Sequence, residues 1–137
     1  MILDLTPLKK AINQLGKSLQ FARSEDAKKN EELFIQFRAA SIQAFEYSYE
    51  LCVKMLQRHL ELSASSTQNI DHLSFRDLVR TGAEKGLIPD PEKWFSYREL
   101  RNITAHTYDE AKADRVYQTL PAFLRSAEDL LKLLQPK

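Results

Sequence analysis

The sequence predicts an all-α fold, an up-and-down antiparallel helical bundle with an additional short helix. Apolar residues recur at spacings of three and four along most of the chain, and strand-type alternation is nearly absent. Helix start and stop residues also bracket the periodic runs. With 137 residues, 43% hydrophobic and 28% charged, the chain has the size and composition of one ordinary domain, expected to span 1–137. Roughly two thirds of the unfolded surface can be buried at that size, so a core needs neither disulfides nor a metal.

Thr6 followed by Pro7 reads as an N-cap and a first helical residue. Leu8, Ile12, Leu15, Leu19 and Ala22 then form one apolar stripe, which gives way to the charged run "RSEDAKKNEE". A second helix is predicted from near Glu31 to about Leu62, with Leu33, Phe34, Phe37, Ala44, Phe45, Cys52, Met55 and Leu56 on its stripe. At 1.5 Å per residue it should be about 45 Å long and form the spine of the fold. "SASSTQN" reads as a loop. Ser74 with Asp77 three residues on resembles a capping box and opens a short helix carrying Phe75, Leu78, Val79 and Ala83, which Gly86 ends. Asp90-Pro91 repeats the start signal for a helix with Trp94, Tyr97, Leu100 and Arg101. The last helix starts around Glu110, with Asp109 as its cap, and carries Val116, Leu120, Phe123, Leu124, Ala127, Leu130, Leu131 and Leu134. Pro121 removes one hydrogen bond from it and is expected to kink it.

Composition also narrows function. A net charge of +1 argues against broad, non-specific nucleic-acid binding but leaves room for a local phosphate site. The three glycines, Gly16, Gly82 and Gly86, frame no phosphate-cradling loop. His59, His72 and His106 are far apart and no His or Cys pair has ligand spacing, so neither a metal nor a cofactor is expected. The N-terminus lacks the pattern of a signal peptide, and no apolar stretch approaches the roughly 20 residues of a membrane span. The single Cys52 fits a reducing compartment, so the expectation is a cytoplasmic protein with no membrane contact.

Chemistry concentrates in "RELRNITAHTYDE", residues 98–110. On an ideal helix Asn102 and His106 stack on one face, where the amide can orient the imidazole, and Trp94, Arg98 and Arg101 form a neighbouring stripe. Arg101 and His106 are five residues apart, a gap that a frayed helix end would narrow. An imidazole serves as base or acid near neutral pH, and a guanidinium presents forked donors to phosphate oxygens. These residue types suit metal-free RNA cleavage, which needs a base, an acid and positive charge on the phosphate. One histidine is too few for both proton transfers, and a two-fold dimer would supply a second. The competing reading is structural: cations in the last turn of a helix interact well with its dipole. On spacing alone that reading is favoured, and Arg76 and Arg80 are read first as a solvated face and second as phosphate contacts.

From Ser74 onward the sequence adds a resemblance. "FRDLVRTGAEKGLIPDPEKWFSYRELRNITAHTYDE", about a quarter of the chain, resembles the nucleotidyltransferase substrate-binding protein family. That family belongs to the HEPN superfamily of small helical bundles, close to the HepT toxins. The resemblance implies a homodimer with Arg101 and His106 facing a cleft at its interface. It further implies metal-independent ribonuclease activity through that pair, with Asn102 as a polar helper, in an R-x4-H-x-Y motif. A cognate small nucleotidyltransferase would act as antitoxin by transferring AMP to Tyr108. Arg98, Arg76 and Arg80 stand as additional candidates for nucleotide or phosphate binding. The chain has no G-S plus paired-aspartate pattern, so it is expected to be the partner and not the transferase. The alternative is a non-enzymatic subunit that binds nucleotide or substrate for the transferase complex.

Overall fold

The structure, a computed structural model, describes residues 3–63 and 70–136. Most of the loop expected at "SASSTQN" lies outside the described residues. Among those described, six α-helices and two short 3-10 turns follow one another with no strand: α1 (Thr6–Ala22), α2 (Glu25–Lys29), α3 (Glu31–Ser63), α4 (Phe75–Glu84), α5 (Pro91–Ile103) and α6 (Glu110–Leu134). The predicted all-α class holds. No helix among the described residues is long and apolar enough to cross a membrane.

The cap residues explain most boundaries. Ser24, Ser74, Asp90 and Asp109 each accept a hydrogen bond from a backbone N–H of the first turn they precede. At α1 the expectation is corrected: Leu5 is the N-cap and Thr6 is already helical. Asp4 supplies the acceptor instead, taking the Thr6 N–H at 3.0 Å, and that bond holds its carboxyl below the usual carboxylate range. The charged run after α1 also contains a helix that periodicity does not show. In α2, acidic residues occupy the first turn and lysines the last, matching the helix dipole.

Gly86 ends α4 as predicted, with φ at 79°. The Gly86 N–H donates to Ala83 O at 3.0 Å and the Leu87 N–H donates to Gly82 O at 2.8 Å, the paired bonds of a Schellman cap. A side chain at that backbone conformation is strained, although the space around it is open. Gly86→Ala should therefore lower stability by about 1–2 kcal/mol, read as a lower midpoint in chemical denaturation.

Helix directions follow from contacts. The C-terminal end of α1 (Ala22), the first turn of α3 (Phe34) and the N-terminal third of α6 (Tyr117) line one cleft, whereas Leu3 lines another with His59, Leu62 and Leu134 at the other end. Hence α1 runs opposite to α3 and α6. Tyr97 of α5 reaches Ser126 and the Ala122 carbonyl of α6, and Arg101 lies beyond it toward the start of α6, so α5 also opposes α6. The order α1, α3, α5, α6 is up, down, up, down, with the parallel pair α3 and α6 touching across the middle through Phe45 and Phe123. On α3, Ser41, Phe45, Ser48, Cys52 and Met55 are all buried, a four-three repeat facing this core. Leu33, Phe34 and Phe37, assigned from sequence to the same stripe, are only half-buried, because the first turns of α3 meet little more than α2, Phe21 and Tyr117.

Candidate functional site

The site is built where α5 stops. After Ile103 the chain tightens into a 3-10 turn over Thr104–His106, then crosses Thr107 and Tyr108 to the Asp109 cap of α6. The tightening ends the 100° advance per residue on which the Asn102–His106 stacking rests, since a 3-10 turn eclipses residues three apart. No hydrogen bond joins Asn102 to His106. The imidazole instead has Tyr108 as its neighbour: Tyr108 Oη lies 3.4 Å from His106 Nδ1 and the rings meet edge to face with centroids 6.0 Å apart. His106 is exposed and Tyr108 is 83% exposed, so both are open to a macromolecular partner.

Arg101 is held far more tightly. Its Nη2 donates to Glu50 Oε1 at 2.6 Å, and its Nη1 lies 3.1 Å from Glu46 Oε2. Nη1 also donates to Thr104 Oγ1 at 3.0 Å, while that hydroxyl donates to the Arg101 carbonyl at 2.6 Å. The buried Thr104 thus ties the arginine to the end of its own helix, and two carboxylates one turn apart on α3 fix its direction. Neither Thr104 nor the Glu46–Glu50 pair is singled out by sequence reasoning. The i, i+4 spacing of the glutamates is visible there, but only the register of α3 against α5 brings Arg101 between them.

A second ion pair sets the opposite edge of the turn. Arg38 is 6% exposed, and its Nη2 donates to Glu110 Oε2 at 2.8 Å. Glu110 is the first residue of α6, two after Tyr108, so the buried arginine anchors the end of the segment that carries the tyrosine. Its guanidinium also lies over the Phe34 ring, 5.7 Å from the centroid.

The other candidate residues gather on a different side of α5. Arg98 lies over the Phe75 ring at 4.7 Å and Arg76 over the Phe95 ring at 4.4 Å, and the two rings stand 6.3 Å apart. With Ser74, Glu99 and Asn102 they line a groove of about 400 Å³ between α4 and α5. Arg80 is exposed and is not among its lining residues. Trp94, on the predicted stripe with Arg98 and Arg101, is buried against Tyr97 and Phe123 and belongs to the core. Between the arginines and the core sits Tyr49, whose phenol burial pushes up to about 12 against the pull of Arg98 and Arg101. Complete burial likewise raises the Cys52 thiol and keeps it protonated, which removes it as a nucleophile.

The chain has relatives in sequence and fold. Over 99 residues, 72% of this chain and 68% of the relative, the sequence is 43% identical to a Haemophilus influenzae protein named probable ribonuclease HepT. The fold matches a solved Haemophilus influenzae structure, described as a substrate binding domain of a nucleotidyltransferase, with a TM-score of 0.91. That match has 35% identity and covers 97% of this chain and 100% of the other. A solved Thermus thermophilus protein matches with a TM-score of 0.71 at 27% identity, over 94% of this chain and 99% of the other. The profile of the family described as nucleotidyltransferase substrate binding protein like covers residues 3–136. The chain belongs to that family.

Proposed function

We propose that this protein is a HEPN-type toxin, a metal-independent endoribonuclease partnered with a small nucleotidyltransferase that silences it. The observation that carries the reading is the segment that runs from Arg101 at the end of α5 through the 3-10 turn to Tyr108, with the Tyr108 phenol 3.4 Å from the His106 imidazole. His106 exchanges protons with the 2′-hydroxyl and the leaving 5′-oxygen. Arg101 supplies positive charge to the phosphate as the 2′-oxygen attacks and a 2′,3′-cyclic phosphate forms. A two-fold homodimer brings two copies of the turn together, giving one imidazole for the base step and one for the acid step. AMP transferred to the exposed Tyr108 places negative charge and bulk beside His106 and closes the site to RNA. The naming of a 43% identical relative as a probable ribonuclease supports this assignment.

The test is expression of the chain alone, beside His106→Ala, and together with its cognate transferase. The expected result is arrested growth and degraded RNA only for the unaltered chain on its own, with AMP found on Tyr108 by mass spectrometry after co-expression. Equal growth and intact RNA in all three cultures would sink the toxin reading.

One observation favours a second reading. Arg101 is already engaged by Glu46 and Glu50, which suits a subunit that binds nucleotide or substrate for the transferase without cutting. On that reading the purified protein binds nucleotide and leaves RNA intact.

A further inference from the structure

The groove between α4 and α5 holds the arginines that the proposed chemistry does not use. Arg101 and Arg38 are committed to carboxylates. Among the described residues, Arg76 and Arg98 make no ion pair, and both are exposed. Each guanidinium instead lies over a half-buried phenylalanine. Both side chains are exposed as well, so the rest of each guanidinium, with its N–H groups, stays available to a ligand. Flat stacking faces beside uncompensated positive charge are what single-stranded nucleic acid needs: bases stack on the planes and the backbone follows the charge. Duplex bases are already stacked on one another and cannot use those faces. The groove's about 400 Å³ is on the scale of one nucleotide. Glu99 leaves one net positive charge across the three ionised groups of the lining and offers an acceptor to a base amine. Asn102, in the last turn of α5, closes one end of the groove lining.

Resting on the ribonuclease reading above, we propose that this groove is a subsite for one nucleotide of single-stranded RNA. Its base stacks on the Arg76 and Arg98 guanidinium planes and its phosphate is held by their N–H groups.

The test is binding of a single-stranded RNA decamer, and of a duplex of the same sequence, to the full chain. The variants are Arg76→Ala/Arg98→Ala, the charge-conserving Arg76→Lys/Arg98→Lys, and His106→Ala. The expected result is a preference for the single strand, weakened at least tenfold in the alanine pair and only partly recovered by the lysine pair. His106→Ala should bind normally while failing to cleave. Both arginine side chains are exposed, so both double variants are expected to stay folded, with melting temperatures lowered by no more than a few degrees through loss of the ring contacts. Equal binding by wild type and the alanine pair, with cleavage still lost in His106→Ala, overturns the subsite and leaves the ribonuclease reading standing. Duplex binding as tight as single-strand binding, or full recovery by lysine, overturns the stacking role. Failure of the unaltered protein to bind or cut RNA overturns both readings.

Discussion

Replacing Arg101 by alanine is expected to slow RNA cleavage by about 10²–10³-fold while lowering stability by no more than about 1 kcal/mol. The two effects separate because the arginine has two kinds of partner. Its ground-state contacts are to Glu46, Glu50 and Thr104. The side chains of Arg101, Glu46 and Glu50 are 30%, 32% and 58% exposed, so solvent screens the pairing and its contribution to folding is small. The transition state of phosphodiester cleavage gathers charge on the phosphate oxygens, and a fixed guanidinium contributes most there. Removing it also leaves two carboxylates one helical turn apart, which repel an approaching phosphate. Arg101→Ala combined with Glu46→Gln and Glu50→Gln should therefore recover part of the lost activity. A purely structural arginine predicts a different outcome: a small loss of stability in Arg101→Ala and no change in RNA cleavage or binding.

The second large effect concerns the core. Phe123→Ala should destabilise the protein by about 3–5 kcal/mol, measured by denaturant unfolding. Its ring is fully buried and meets three others edge to face: Phe45 at 4.8 Å, Tyr97 at 5.1 Å and Trp94 at 6.0 Å. These neighbours come from α3 and α5, so one side chain joins three helices. Edge-to-face pairs contribute about 0.5–1.5 kcal/mol each beyond burial. Truncation also loosens Tyr97, whose hydroxyl lies 2.6 Å from Ser126 Oγ. Because α5 carries Arg101 and the α4–α5 groove, the variant should lose cleavage before it unfolds completely. Phe123→Leu, which keeps most of the volume, should cost far less.

The fold was legible wherever a local signal decided the outcome. Ser74, Asp90 and Asp109 have the short polar side chains that cap helices, and Gly86 takes the positive φ that ends one, so four boundaries follow from residue chemistry alone. Thr6 misled because the helix starts one residue earlier: Leu5 is the cap, and Thr6 is a first-turn residue whose N–H Asp4 accepts. The charged segment of α2 hid a helix because it has almost no apolar stripe: Ala27 alone is buried. Within the candidate site, Arg101, His106 and Tyr108 could be assigned from sequence to the end of one helix and the turn after it, since they are close along the chain. The partners of Arg101 could not. Glu46 and Glu50 are some fifty residues away, and their meeting depends on how α3 and α5 pack. The Arg38–Glu110 pair is hidden for the same reason, joining residues 72 apart. Asn102 was misplaced by a local effect: the helix gives way to a 3-10 turn before His106, so spacing of four no longer stacks the two side chains.

Metal-free RNA cleavage by Arg101, at the end of α5, and His106, in the turn after it, is open to direct test. Purified protein incubated with single-stranded RNA in excess chelator tests it most directly, with product ends analysed by mass spectrometry. The expected result is cleavage leaving 2′,3′-cyclic phosphate ends, lost in His106→Ala and in protein carrying AMP on Tyr108. Intact RNA with the unaltered protein, or equal cleavage by His106→Ala, would contradict it.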